Sequence, residues 1–224
     1  MKKLLLASTM LFALASGAQA ATLSPANVGQ VATIQYSGTT PDGNQSADVT
    51  ATQVITLDSY TAGTNIYSFS YNITNTSDIS TRLVGFGFDT APELAGATAT
   101  GLFNQIGFTQ SISGGVNVDV CFSTNNCSGG GGTGLLSDAS TTGTFTLDFA
   151  DGLIGLITVD QFTARFQSIV GSPFGTSGIA GGNPGGGFIN PTVVVPGPAV
   201  GAGLPGLLAL GLLGFNYIRR RRPA

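Results

Sequence analysis

Between residues 67 and 73 the chain alternates without a break, Tyr67, Phe69, Tyr71 and Ile73 being separated by Ser68, Ser70 and Asn72. A period of two places the large apolar groups on one face of a strand and the polar ones on the other. Val28 to Tyr36, Val49 to Leu57, Leu83 to Phe88, Val116 to Phe122, Thr144 to Phe149 and Leu156 to Ile169 are β-branched or aromatic runs of the same kind. Pro41-Asp42-Gly43-Asn44, Asn75-Thr76-Ser77-Asp78 and Asp151-Gly152 supply turns between them. No internal segment carries a sustained helical stripe. Seven or eight short strands separated by turns predict a mainly β domain, an antiparallel β-sandwich or jelly-roll-like fold.

The two ends follow a different pattern. Lys2 and Lys3 precede an apolar stretch from Leu4 to Ala15, and Ala18-Gln19-Ala20 follows. That is the layout of a secretory signal peptide, residues 1–20, cut between Ala20 and Ala21. The apolar stretch is too short to span a bilayer as a helix, which takes about 20 residues. At the other end, Ala199 to Ile218 runs for twenty residues without a charge and is followed by Arg219, Arg220, Arg221 and Arg222. Such a run is long enough to cross the hydrocarbon core once, and the arginines should remain cytoplasmic. Both ends therefore predict an exported domain held by one carboxy-terminal transmembrane helix. Residues 21–177 are expected to form that domain. Residues 178–195, rich in Gly and Pro, are expected to be a linker.

A short proline motif, here Val195-Pro196-Gly197-Pro198, followed by one membrane span and a terminal arginine cluster, resembles the PEP-CTERM sorting signal of exosortase-processed bacterial proteins. Gly197 and the stretch Gly201-Ala202-Gly203-Leu204-Pro205-Gly206-Leu207 look like the variant carrying Gly for the usual Glu, which leaves open which protease matches it. The resemblance covers about residues 193–224. It implies processing first by signal peptidase and then by an exosortase-like membrane protease, with transient residence in the inner membrane. The competing expectation is a permanent single-span anchor. Val120 to Cys127 before Gly129 to Gly132, with Gly85-Phe86-Gly87-Phe88-Asp89-Thr90 upstream and Arg165-Phe166-Gln167-Ser168-Ile169 downstream, is similar to the PEP-CTERM subfamily called cistern. Phe166 stands where that subfamily would carry tyrosine. The subfamily has no assigned activity, so the resemblance supplies an address and a tie to exopolysaccharide or biofilm matrix, with no catalytic residue.

Charge narrows the partners. All eleven acidic residues lie in the exported portion, against only Arg82 and Arg165, for a net charge of −9. Nucleic acid and anionic lipid are expected to be repelled. The chain holds no histidine, and its lysines leave with the signal peptide. Ser-His-Asp, Cys-His, Ser-Lys and the common zinc sites cannot be assembled from such a set. No cofactor and no metal is expected. Cys121 and Cys127, with five residues between them, predict a disulfide in an oxidising compartment. A loop so short contributes about 2 kcal/mol in the entropy model, so its role is local.

Weaker candidates remain. Asp89 and Glu93 offer the two carboxylates that glycoside hydrolysis needs, although Asp89-Thr90-Ala91-Pro92-Glu93 reads equally as a solvated turn. Asp42, Asn44, Ser46 and Asp48 repeat oxygen ligands like the first half of a calcium loop, but Ala47 and Gln53 stand where an EF-hand needs Gly and Glu. Asn72 and Asn75 begin Asn-x-Ser/Thr triplets. Arg82 and Arg165 are each expected to meet a carboxylate, Arg165 across strands. The sequence thus predicts a non-enzymatic exported protein, with a carbohydrate-binding or adhesive module and a two-carboxylate glycosidase as alternatives.

Overall fold

The computed structural model describes residues 20–38, 49–112, 116–128, 133–150, 156–170, 176–185 and 188. The alternating runs form the longest strands: β2 (Val31–Gly38), β3 (Val49–Thr61), β4 (Ile66–Asn75), β5 (Arg82–Ala91), β8 (Val116–Ser123), β10 (Ser140–Phe149) and β11 (Ile157–Gln167). Shorter ones complete the set: β1 (Ala21–Leu23), β6 (Leu94–Ala99), β7 (Gln105–Ile112), β9 (Leu135–Leu136) and β12 (Ser177–Asn183). Hydrogen bonds join them in the order β6-β10-β4-β3-β2-β12-β11-β5-β8-β7, with β1 added to β11 and β9 to β5. Every pairing is antiparallel.

The sheet curls until its two ends approach, β6 lying beside β7 and β8 without joining their ladder. The result is an antiparallel sheet nearly closed into a barrel. The expected mainly antiparallel β fold is present, but as one connected ladder whose halves face each other rather than as two separately bonded sheets. Phe145 on β10 ties the halves together. Its ring stacks on Phe69 of β4, with centroids 4.7 Å apart, and lies 4.9 Å from Phe122 of β8. Phe86 and Phe88 of β5 extend the aromatic core, and Tyr67, Phe69, Tyr71 and Ile73 point into it as their period predicts.

The expected linker at 178–195 needs correction at its start. Ser177–Asn183 is a strand, wedged between β11 and β2, and its Ala180 is fully buried. Glycine is what allows it there: a Cβ at Gly182 would lie 2.7 Å from Ile34, Tyr36 and Phe162. Beyond β12, Phe188 packs on Phe69 and lines a very small apolar cavity of about 10 Å³. β6 and β7 were not expected either: Leu94-Ala95-Gly96-Ala97-Thr98-Ala99 lacks large alternating groups, and in Gln105–Ile112 the alternation of Ile106, Phe108 and Ile112 is interrupted at Gln110.

Apart from Ala20, the signal peptide lies outside the described residues. So do the sorting motif Val195 to Pro198, the membrane run 199–218, Arg219 to Arg222, and the Asp42 to Asp48 loop. Among the described residues, no helix is long and apolar enough to cross a membrane.

Candidate functional site

The chemistry-bearing residues fall on three parts of the sheet. The first is a disulfide corner. Cys121 on β8 is bonded to Cys127 in the loop that follows, as expected, with the Cα atoms 6.1 Å apart. Both half-cystines are buried with Ile112 and Val118 in a small apolar cluster on the outer side of β5 and β8. Gly87 opens the room for it, since a Cβ there would press on Ile112 and Val118 at 3.0 Å. Arg165 lies beneath this corner, 5% exposed, and its Nη1 donates to the Cys127 carbonyl at 2.8 Å.

Among the described residues the cross-strand ion pair expected of Arg165 is not found, its register partners being Gly85 and Ile179. Its Nε has no hydrogen-bond partner, and burial lowers the guanidinium pKa. Arg82 sits opposite Gln167 and Leu136, again with no carboxylate in register. Here the cation holds a loop carbonyl in place of an acid.

The second part is a row of aspartates on adjacent strands. Asp160 of β11 lies directly opposite Asp89 of β5. Asp89 Oδ1 accepts the Asp119 N–H at 3.1 Å, and Asp119 Oδ2 accepts the Thr90 N–H at 2.8 Å. Desolvation raises the pKa of Asp89, the Asp119 N–H lowers it, and the charges of Asp119 and Asp160 raise it again. Glu93 is exposed in the turn after the cis Ala91-Pro92 bond. The carboxylates beside Asp89 are therefore Asp119 and Asp160, not Glu93. Among the described residues, no group of acids, cysteines or histidines is arranged to hold a metal.

The third part went unremarked in the sequence reading. On β3, β4 and β10 the inward positions are apolar except for Gln53, Asn75 and Thr141, and the outward ones include Thr50, Thr52, Val54, Thr56, Ile66, Ser68, Ser70, Asn72, Thr74, Ser140, Thr142, Thr144 and Thr146. β6 adds Thr98, and Thr100 follows it. The hydroxyls pair across strands: Thr74 with Ser140 at 2.8 Å, Thr98 with Thr146 at 2.7 Å, and Thr100 with Thr144 at 2.8 Å. Such pairs contribute to sheet stability. Charge appears at one margin only, as Asp58, which accepts from Ser70 Oγ at 3.0 Å, and Asp148. At the centre lies an open hollow of about 420 Å³, lined by Val54, Thr56, Ser70, Tyr71, Asn72, Thr142, Gly143 and Thr144. Gly143 forms part of its floor, since a Cβ there would fall on the Tyr71 hydroxyl. The signal for this face is the identity of the polar half of each alternating strand.

Neither the hollow nor the small apolar cavity is lined by Asp89 or Glu93. Asn72 is exposed, whereas Asn75 is fully buried and gives its amide to Thr81 Oγ1 and the Leu135 carbonyl, each at 3.0 Å. A modification at Asn75 would have to break that core. At the amino end, Ala20 is exposed while Ala21 is 1% exposed and paired with Val159. The next register position sets Ala20 across from Asp160.

No family model, curated protein or solved structure matches this chain. What it can do must therefore be read from its own residues.

Proposed function

We propose that this chain is a non-enzymatic exoprotein of the PEP-CTERM kind. It is cut by signal peptidase, held at the inner membrane by its carboxy-terminal helix, and released to the cell surface or matrix by an exosortase-like protease, where it associates with exopolysaccharide. Its β domain, with two halves packed face to face in the manner of a sandwich, is the exported part. The observation that carries the reading is the position of the amino end of the sheet. Ala21, the first residue of β1, is buried and paired with Val159, and it directly follows Ala18-Gln19-Ala20, so cleavage after Ala20 would fall at the start of that strand.

Other features agree with this reading. The cysteine pair is placed to form a bridge, as suits an oxidising compartment. After cleavage, the new ammonium on Ala21 would lie one register position from Asp160, a carboxylate already crowded by Asp89. At the other end, β12 and Phe188 take up much of the expected linker, leaving residues 189–194 before Val195. Even fully extended, so short a tether reaches only about 20 Å, so the tail would be processed close to the folded domain.

Fractionation of the host, with and without its exosortase-like protease, tests the reading. The intact host should carry the protein at its surface or in the medium, and the protease-deficient host should accumulate it in the inner membrane. Identical distribution in both would overturn the sorting step.

A further inference from the structure

We propose that the hollow on the outer face of β3, β4 and β10 binds a neutral polysaccharide, an inference that rests on the exopolysaccharide association above and places it on named residues. The observation behind it is the composition of the hollow, where accessible polar groups from three strands surround one aliphatic side chain. Thr56, Asn72 and Thr142 line the hollow, and their side chains make no hydrogen bond to any described residue, while their neighbours on the same strands are paired. Hydroxyls and amides each offer both a donor and an acceptor. A ligand whose own polar groups both donate and accept matches such a surface, and a sugar chain is built of such groups.

Charge argues for the same occupant. The exported portion is strongly acidic, yet this face carries no cation and confines its carboxylates to Asp58 and Asp148 at one margin. An anionic polymer would gain no ion pair and would meet the field of the other acids. A cationic one would be drawn to the aspartate row instead. Val54 is the one aliphatic side chain lining the hollow, and it lies between Thr52 and Thr56 on the same strand. It offers the C–H face of a pyranose an apolar seat while the ring hydroxyls reach Ser70, Asn72 and Thr142. The Thr γ-methyls around it extend that seat. On a sheet, alternate residues repeat every ~6.8 Å along a strand and neighbouring strands stand ~4.8 Å apart. The array is thus continuous in two directions and suits a polymer better than a single sugar.

Native gels cast with a neutral polymer (dextran or galactomannan) or an anionic one (alginate) test the proposal on protein recovered from its host. The native protein should be retarded by at least one neutral polymer and not by alginate. The double variant Asn72→Ala/Thr142→Val keeps the charge but removes three polar atoms, and should weaken that retardation about tenfold, equivalent to ~1.4 kcal/mol. Thr158→Val, on β11, should bind as the native protein does, and circular dichroism should show all three folded alike. Absence of retardation by any neutral polymer, equal retardation by alginate, or unchanged binding of the double variant would each overturn the site. So would loss of self-association in place of glycan binding, which would assign the face to a second copy. If the protein is sorted to the surface while the double variant binds normally, the site fails and the exoprotein reading stands. If binding is lost as expected while sorting is absent, the reverse holds.

Discussion

The half of the sheet built from β3, β4 and β10 differs from the half built from β11, β5 and β8 in how many of its faces are buried. In the first, the inward residues are mostly apolar, the outward ones mostly small and polar, and the strands run long, with one register shift at Leu57/Ser59. In the second, β5 is buried from Leu83 to Phe88 on both faces, because the disulfide corner, Arg165 and β12 cover its outer side. Register shifts interrupt β11 at Asp160/Thr163 and Arg165/Phe166. A continuous apolar run such as Leu83-Val84-Gly85-Phe86-Gly87-Phe88 is the mark of a strand covered on two sides, and a strict alternation the mark of one covered on a single side. The open half offers a surface. The covered half offers mass and cross-links.

The largest effect should come from breaking the contact between the halves. Phe145→Ala removes a ring that meets Phe69, Tyr71, Phe86, Phe88 and Phe122. It should cost about 3–5 kcal/mol in urea unfolding. A loss below about 1 kcal/mol would mean that the halves are not packed as described.

Next in size is the covered half's bridge. Replacing Cys121 and Cys127 together by alanine should lower stability by about 2 kcal/mol, with a fall in Tm of about 4–8 °C. Hydrogen exchange should rise first in Thr124 to Cys127, while Ile66 to Asn75 stays protected. Uniform loss of protection would contradict the local role of the bridge.

Smallest, and opposite in sign, is the aspartate row. Asp89 binds its proton more tightly in the folded state than its ordinary value of 3.8 implies, so its contribution to stability falls as pH rises from that value through the raised one. Asp89→Asn keeps an acceptor for the Asp119 N–H and removes the buried charge. It should therefore unfold later than the native protein at pH 7, and the difference should vanish below pH 3.8. Destabilisation at neutral pH would contradict a raised Asp89 pKa.

How much of this was legible beforehand follows the same division. The strands of the open half could be read from alternation alone, and the cysteine bridge from two residues in an exported chain. β1, β6 and β12 could not be, because three-residue pairing and runs of Ala, Gly, Ser and Thr carry no periodic apolar signal, whereas β7 does alternate at Ile106, Phe108 and Ile112 with a break at Gln110. Ser177–Asn183 looked like a linker since glycine usually breaks structure, yet its lack of side chains is what fits it between Ile34, Tyr36 and Phe162. Arg165 was misread because a carboxylate was expected opposite any cation in a sheet. Its partner is a loop carbonyl brought over by the disulfide, which no local pattern encodes. The hydroxyl face was in plain view at every second position, but it becomes a surface only once the register of β3, β4 and β10 is known.

The central claim is that this is a two-end processed exoprotein, and the intact mass of the protein recovered from the outer surface or medium of its host tests it most directly, with and without reduction. The account predicts a chain that starts at Ala21, lacks the tail from near Pro196, and gains the mass of two hydrogens on reduction. A chain still ending at Ala224 and confined to the inner membrane would contradict it, and would make the protein a permanently tethered one.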